Sequence, residues 1–170
     1  MKLLKQKRTL VILISLSLVF ALGVVTSLAQ EKIKLKDRRY WFVTKVEVIK
    51  VDDVEGHIIQ ILELKGVDVG TGDVAFNKMS MDLIKGNGTS QGYTTVTSPD
   101  GNNARFFKIQ GKSTSSLSPD GKPISMSEGT ATLIKGTGKW EGFQGGGTYK
   151  AKTIADGISI MDWEYEFTKK

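Results

Sequence analysis

One histidine and no cysteine restrict the chemistry that this chain of 170 residues could carry. His57 follows three acidic residues, Asp52, Asp53 and Glu55, at a predicted turn. A nucleophile–histidine pair would have to be built around His57 alone, and zinc, copper and haem sites lose their usual further ligands. The pattern therefore predicts a polar residue at the start of a strand rather than a catalytic or metal-binding histidine.

Acidic side chains in predicted loops are the second kind of candidate. The group consists of Asp52, Asp53, Glu55, Asp68 and Asp73. Carboxylate oxygens bind calcium, but the spacing of these residues does not match an EF-hand loop. We interpret them as solvated turn residues, and we predict no metal and no cofactor.

A glycine-rich phrase occurs twice, fifty positions apart. Residues 83–93, LIKGNGTSQGY, return as residues 133–143, LIKGTGKWEGF, with six identities in eleven. A phosphate cradle would need a helix behind the glycines, and here another strand pattern follows. The repeat is typical of strands that enter and leave tight turns. Its structural glycines are Gly86, Gly88, Gly92, Gly136, Gly138 and Gly142.

Glu128 is a candidate ligand-site residue within a predicted strand. It shares a face with Met126 and Ile134, opposite Ala131 and Leu133, and either face could be inside. An inward Glu128 would be costly to bury unless it were paired or protonated, as functional carboxylates commonly are. The alternative is an outward, solvated glutamate beside serine and threonine.

Three aromatic residues complete the candidate ligand site: Tyr149, Trp163 and Tyr165. Trp163 and Tyr165 share a face with Met161 and Phe167 in the last strand pattern. Rings with a polar tip suit the lining of a cavity for a small apolar or aromatic molecule. The alternative is an ordinary barrel core, because eight-stranded interiors are commonly just filled by side chains.

Eight strand patterns position these residues. They cover residues 40–51, 57–65, 74–85, 90–97, 104–113, 124–135, 147–153 and 158–168. Two identical Ser-Pro-Asp-Gly turns, at residues 98–101 and 118–121, bracket the fifth strand. Even spacing and the lack of a helical period after residue 30 predict an all-β, eight-stranded antiparallel β-barrel, with a closed sandwich as the alternative. In such a barrel the two glycine turns lie at opposite ends.

The first 29 residues have the pattern of a secretory signal peptide. Four basic residues precede an apolar run over residues 10–25, and small residues lead to Ala29. An uncleaved anchor is the alternative, because residues 9–28 are long enough to span a bilayer. We predict cleavage after Ala29 and a secreted or periplasmic protein, with residues 30–39 as a polar leader and residues 40–170 as one barrel domain.

Most of the net charge of +6 comes from the predicted signal peptide, because 20 basic and 18 acidic residues remain after residues 1–29 are removed. The remaining chain lacks the clustered lysine and arginine, interleaved with aromatics, that nucleic-acid binding requires. We therefore predict no nucleic-acid partner, and no membrane partner after cleavage.

Residues 129–149, GTATLIKGTGKWEGFQGGGTY, resemble the glycine-rich pattern of the allene oxide cyclase and dirigent barrel superfamily. They are similar also to small exported bacterial proteins of uncharacterised function that carry the same phrase. The resemblance implies an allene oxide cyclase-like, calycin-like barrel with a cavity, often for an apolar or aromatic substrate. It carries no functional residues over to this chain, and it leaves open a homo-oligomer assembled through the outer faces.

These observations favour an exported barrel that binds a small apolar or aromatic molecule in its interior and catalyses nothing. A cyclase or isomerase is the first alternative, in which a preshaped cavity orients a reactive substrate. An inward Glu128 near a tyrosine would favour that enzyme. A solid-cored structural or interaction module is the second alternative, favoured by an interior without a cavity and by an exposed apolar patch.

Overall fold

A computed structural model describes residues 31–117 and 123–169. Its strands are β1 (Lys32–Lys50), β2 (His57–Asp68), β3 (Val74–Ile84), β4 (Asn87–Thr97), β5 (Ala104–Leu117), β6 (Pro123–Gly136), β7 (Phe143–Ala155) and β8 (Ile158–Lys169). A turn of 3-10 helix, Gly138–Trp140, connects β6 to β7. Within the described ranges no helix is long and apolar enough to cross a membrane. The predicted signal peptide and the second Ser-Pro-Asp-Gly turn lie outside these ranges.

The eight strands form one closed sheet. Each strand pairs antiparallel with the next, and β1 pairs antiparallel with β8, so that the order around the barrel follows the chain. This closure runs from the pair Lys32 and Thr168 to the pair Phe42 and Ile158. The predicted all-β, eight-stranded antiparallel barrel is therefore confirmed.

The first strand is longer than its pattern predicted. β1 begins at Lys32, where the sequence predicted a polar leader. Ile33 and Leu35 pack against the core, while Lys36 faces solvent and pairs with Glu164 of β8. Lysines on the outer face made residues 32–39 look polar, although they alternate with inward residues in a strand that pairs with β8 and closes the barrel.

The barrel has a mouth and a closed end. The mouth carries the β1–β2, β3–β4 and β7–β8 connections, and the closed end carries the β2–β3, β4–β5 and β6–β7 connections. The first glycine phrase connects β3 to β4 at the mouth, and the second connects β6 to β7 at the closed end. The two copies lie at opposite ends, as predicted, and they do not form one site.

The first glycine phrase forms a two-residue hairpin. Lys85 and Gly86 both have positive φ, 50° and 78°, as a type I′ turn requires. Gly88 follows in β4, where a Cβ would overlap the carbonyl oxygen of Asp82 on β3. Gly86 is favoured by its backbone angle, and Gly88 is required by the close approach of the two strands.

The second copy of the phrase folds differently. Its connection contains the 3-10 turn, and positive φ falls at Gly138 and Gly142, while Gly136, like Gly92 of the first copy, lies in a strand. Trp140 in this turn is 8% exposed, and its ring centroid lies 5.4 Å from that of Phe167. The longer connection brings this indole over the closed end of the barrel.

The closed half of the barrel is filled by aromatic rings. Trp163, Tyr165 and Phe167 point inward from β8, and each is at most 3% exposed. Trp163 and Tyr165 stack with centroids 5.3 Å apart and planes 5° apart, and Phe107 of β5 stacks on Tyr165 at 5.3 Å. The inward face predicted for the last strand is confirmed.

At the mouth, β1 and β2 extend beyond the closed part of the sheet. β1 pairs with β8 as far as Phe42, but its pairing with β2 continues to Lys50. Val46 and Val48 lie opposite Leu62 and Gln60, on the side that faces the interior, and about half of each valine is exposed. The hairpin therefore prolongs an apolar surface past the mouth.

Candidate functional site

The mouth half of the barrel is hollow. A cavity of about 370 Å³ lies between the aromatic core and the mouth, and strands from both sides of the barrel border it. Its volume is in the range of cavities that hold small ligands. The interior is thus neither a solid core nor an open tube, because one half is packed and the other is empty.

One side of this cavity is aliphatic apart from Gln60 of β2. The side chains that border it, which we call the apolar wall, come from β2 and β3 and are Ile58, Leu62, Leu64, Met79, Met81 and Leu83. They point inward because successive residues of a strand point to opposite faces. The methionine side chain is flexible and adapts to different apolar surfaces. This wall therefore suits apolar molecules of more than one shape.

The opposite side of the cavity carries hydroxyl groups. We call Ser113 and Ser115 of β5, with Ser125 and Ser127 of β6, the serine rows. Ser113 lies opposite Ser127, and their Oγ atoms are 2.7 Å apart. Ser115 lies opposite Ser125 and donates a hydrogen bond of 3.1 Å to the carbonyl oxygen of Gly86. Sequence reasoning missed these rows, although serine at alternate positions of both strands was an available signal.

Tyr149 and Trp41 border the cavity where it meets the core. Burial raises the pKa of the Tyr149 hydroxyl, which therefore stays neutral and can donate a hydrogen bond. Trp41 is 1% exposed, and its ring packs on Gly66, where a Cβ would lie 2.9 Å from the indole. Its Nε1 is buried without a hydrogen-bond partner among the described residues. The inner part of the cavity therefore offers the neutral hydroxyl of Tyr149.

The other two aromatic candidates belong to the core. Trp163 packs between Tyr149 and Tyr165, with its ring centroid 4.8 Å from that of Tyr149. Burial raises the pKa of Tyr165 to about 12, and Arg39 Nη1 donates a hydrogen bond of 3.4 Å to its hydroxyl. Of the three predicted aromatic residues, Tyr149 borders the cavity, whereas Trp163 and Tyr165 fill the space behind it.

Glu128 lies outside the cavity. Its side chain is exposed on the outer face of β6, beside Lys112 of β5 and Lys150 of β7. Its neighbours Ser127 and Gly129 take the inward positions, because Ala131 and Leu133 set the inward phase of this strand. The structure therefore corrects the prediction that Glu128 belongs to the ligand site. The outward, solvated position given as the alternative is the one observed.

A buried group of charges, which sequence reasoning missed, lies towards the closed end. Arg39 is 0% exposed and contacts the carboxylates of Asp37 and Asp68, the second at 3.7 Å from Nε to Oδ2. Burial raises the pKa of Asp37, although Arg39 opposes that shift. The guanidinium also lies 5.8 Å from the centroid of the Trp163 ring. This contact joins the charges to the aromatic core.

A second arginine belongs to the same group. Arg105 Nη2 donates a hydrogen bond of 2.7 Å to Asp73, and its guanidinium lies 4.7 Å from the centroid of the Trp140 ring. Asp68 is 3% exposed and accepts hydrogen bonds from the backbone of Gly70 and Thr71. Asp68 and Asp73 are therefore structural ion partners, and the prediction that they are solvated turn residues is wrong for both.

His57 begins β2, as predicted, and its ring lies between two carboxylates. Its Nδ1 is 2.5 Å from Asp53 and its Nε2 is 2.8 Å from Asp82. These hydrogen bonds raise the pKa of His57, and the contact with His57 lowers the pKa of Asp53. The ring faces away from the cavity, because Ile58 takes the inward position. This arrangement ties the β1–β2 loop to β3 when the histidine is protonated.

No protein-family model and no curated protein sequence matches the chain. A search of solved structures finds a protein of unknown function from the DUF3224 family of Shewanella oneidensis MR-1. The TM-score is 0.55 and the identity is 16%, over 82% of this chain and 98% of that chain. The two chains share a barrel fold. A pterocarpan synthase dirigent protein is similar at a TM-score of 0.48 and 11% identity, over 82% of this chain and 89% of its own.

At this level of identity the likeness concerns the fold and not an activity. The barrel fold that the glycine phrase implied is confirmed by the closed eight-stranded sheet and by the likeness to the DUF3224 protein of unknown function. A role for the barrel therefore depends on the chemistry of the cavity itself.

Proposed function

We propose that this barrel binds one small, mainly apolar molecule in the mouth half of its interior and holds it without chemical change. The observation that carries this proposal is the cavity of about 370 Å³, bordered by the apolar wall and backed by a packed aromatic core. A ligand seated there would remove apolar surface from water on its own side and on that of the protein, which is the main favourable contribution to such binding.

The enzyme alternative has less support. The described lining contributes no carboxylate and no histidine, because Glu128 and His57 lie on outer faces. Tyr149 contributes a hydroxyl whose pKa is raised, so it is a poor base near neutral pH. A shaped cavity could still orient a substrate, but general acid–base chemistry would have only the exposed Lys152 as a partner for Tyr149 within this lining. Binding is therefore the better reading of the site.

We propose further that binding takes place outside the cytoplasm, in the periplasm or the medium. The sequence pattern of residues 1–29 supports this location. A carrier in such a compartment would take up apolar molecules that dissolve poorly in water.

A neutral fluorescent probe tests the proposed function directly. N-phenyl-1-naphthylamine, titrated into the purified protein, should bind in a saturable way with one site per chain and with an increase in its fluorescence. Native mass spectrometry of gently purified protein should add the mass of any molecule acquired in the producing cells. A lack of saturable probe binding, together with a single unliganded mass, would overturn the proposal.

A further inference from the structure

We infer that the ligand is neutral and carries its polar groups along one edge: an apolar body with hydroxyl or carbonyl oxygens that face the serine rows. This inference rests on the proposed function and adds the chemical class of the ligand. It follows from where the cavity places its hydroxyl groups, how far apart they lie and how little charge accompanies them.

The two kinds of wall face each other across the barrel. β2 and β6 are four strands apart in a closed ring of eight, and β3 and β5 lie beside them on their respective sides. Leu62 and Met79 therefore face one side of a bound molecule, while Ser113 and Ser127 face the other. A molecule with a polar head and an apolar tail would leave part of one wall unmatched along its length. A molecule with one apolar and one polar edge matches both walls.

The serine rows also define a spacing. Ser113 and Ser115 are two residues apart on β5, as are Ser125 and Ser127 on β6, so the two pairs of hydroxyls lie roughly 7 Å apart along the strands. Each serine hydroxyl has one donor and two acceptor lone pairs, so the bonds that these serines make to one another and to Gly86 leave capacity for a ligand. Two ligand oxygens at that spacing can each meet one pair.

The lining favours a ligand without charge. Lys152 is the ionisable side chain that accompanies Tyr149 in the described lining, and Lys152 is exposed. A carboxylate or sulfonate held against the serine rows would lose its hydration without gaining an opposite charge, which costs several kcal/mol.

Matched probes test this inference by displacement of N-phenyl-1-naphthylamine from the purified protein. Naphthalene-2,7-diol carries both hydroxyls on one edge, naphthalene-2,6-diol carries them on opposite edges, and naphthalene-2,7-disulfonate replaces them by charges. We expect the 2,7-diol to displace the probe at a concentration about fivefold lower than the 2,6-diol, the factor that one net hydrogen bond supplies. The disulfonate should not displace it.

Variants assign this preference to the serine rows. The double change Ser113→Ala and Ser127→Ala removes both partners of one hydrogen bond, so it leaves no unpaired group and should preserve the fold. We expect it to abolish the preference for the 2,7-diol, measured against probe binding by the same variant. Ser116→Ala, on the outer face of the same strand, is the matched control and should keep the preference. Ser125→Ala carries the same test if the double variant does not fold.

The outcomes separate the two proposals. Equal displacement by the two diols, or a preference that survives in the folded serine variants, would overturn the ligand class and leave binding of an apolar molecule standing. Displacement by the disulfonate would contradict the neutral ligand. Failure of N-phenyl-1-naphthylamine and of both diols to bind would instead overturn the proposed function itself.

Discussion

Tyr149 and Trp163 lie directly opposite each other on β7 and β8, and the centroids of their rings are 4.8 Å apart. Tyr149 borders the cavity, and Trp163 is 1% exposed within the aromatic core behind it. The contact between these two rings is the boundary between the hollow and the filled halves of the barrel. A substitution on the core side of this boundary should therefore affect stability, and one on the cavity side should affect binding.

Replacement of Trp163 by alanine should act on stability. The indole packs against Tyr149 and Tyr165 and lies beside the guanidinium of Arg39, so its removal leaves a large hole within the core. We expect a loss of about 3–5 kcal/mol in the free energy of unfolding, measured by urea denaturation. A loss below about 1 kcal/mol would contradict the description of the closed half as a packed core.

The strand pattern predicted the barrel well because its outer and inner positions alternate in chemistry along most strands. It failed at β1, where Asp37 and Arg39 point inward, since an alternation of apolar and polar residues assigns charged side chains to the outside. Their partners Asp68, Asp73 and Arg105 lie between 29 and 68 positions away in the chain. Only closure of the barrel brings these charges together, so no local signal in the sequence reveals the group.

The candidate site could be predicted only in part for a related reason. The pattern of β6 left the inward face open, and packing against β5 and β7 decided it against Glu128. Tyr149 and Trp163 both point inward from paired positions of β7 and β8, but of the two only Tyr149 borders the cavity. That difference depends on the stagger of all eight strands, which the turns and bulges determine together.

A comparison of Arg39 with Arg38 tests the buried charges. Replacement of Arg39 by methionine leaves Asp37 and Asp68 buried without their main partner, and we expect a loss of about 3–5 kcal/mol in unfolding free energy. Arg38→Met is the matched control, because Arg38 forms an exposed pair with Asp162 on the outer face. It should change the unfolding midpoint little. Equal effects of the two changes would show that the buried group contributes no more than a surface pair.

Filling the cavity should remove binding without harming the fold. Ala151 of β7 borders the cavity beside Met161, and phenylalanine at this position would occupy part of the empty volume. We expect Ala151→Phe to weaken the binding of N-phenyl-1-naphthylamine at least tenfold, while the thermal midpoint stays the same or rises. Ala155→Phe, exposed at the end of the same strand, is the control and should bind the probe as the parent protein does. Undiminished binding by Ala151→Phe would place the probe elsewhere.

The pH dependence of the mouth should follow His57. Because the contacts with Asp53 and Asp82 raise its pKa, its charged contacts stabilise the folded protein fully below the ordinary histidine value of about 6.5. That contribution is lost as the pH rises through the raised pKa of the folded protein. As the chain has one histidine, a single imidazole signal in a proton NMR titration reports this pKa. Asp82→Asn should lower the pKa of His57, whereas Asp52→Asn, in the β1–β2 loop beside Asp53, should move it less. A titration of His57 at or below its ordinary value would show that the two carboxylates do not hold the ring in solution.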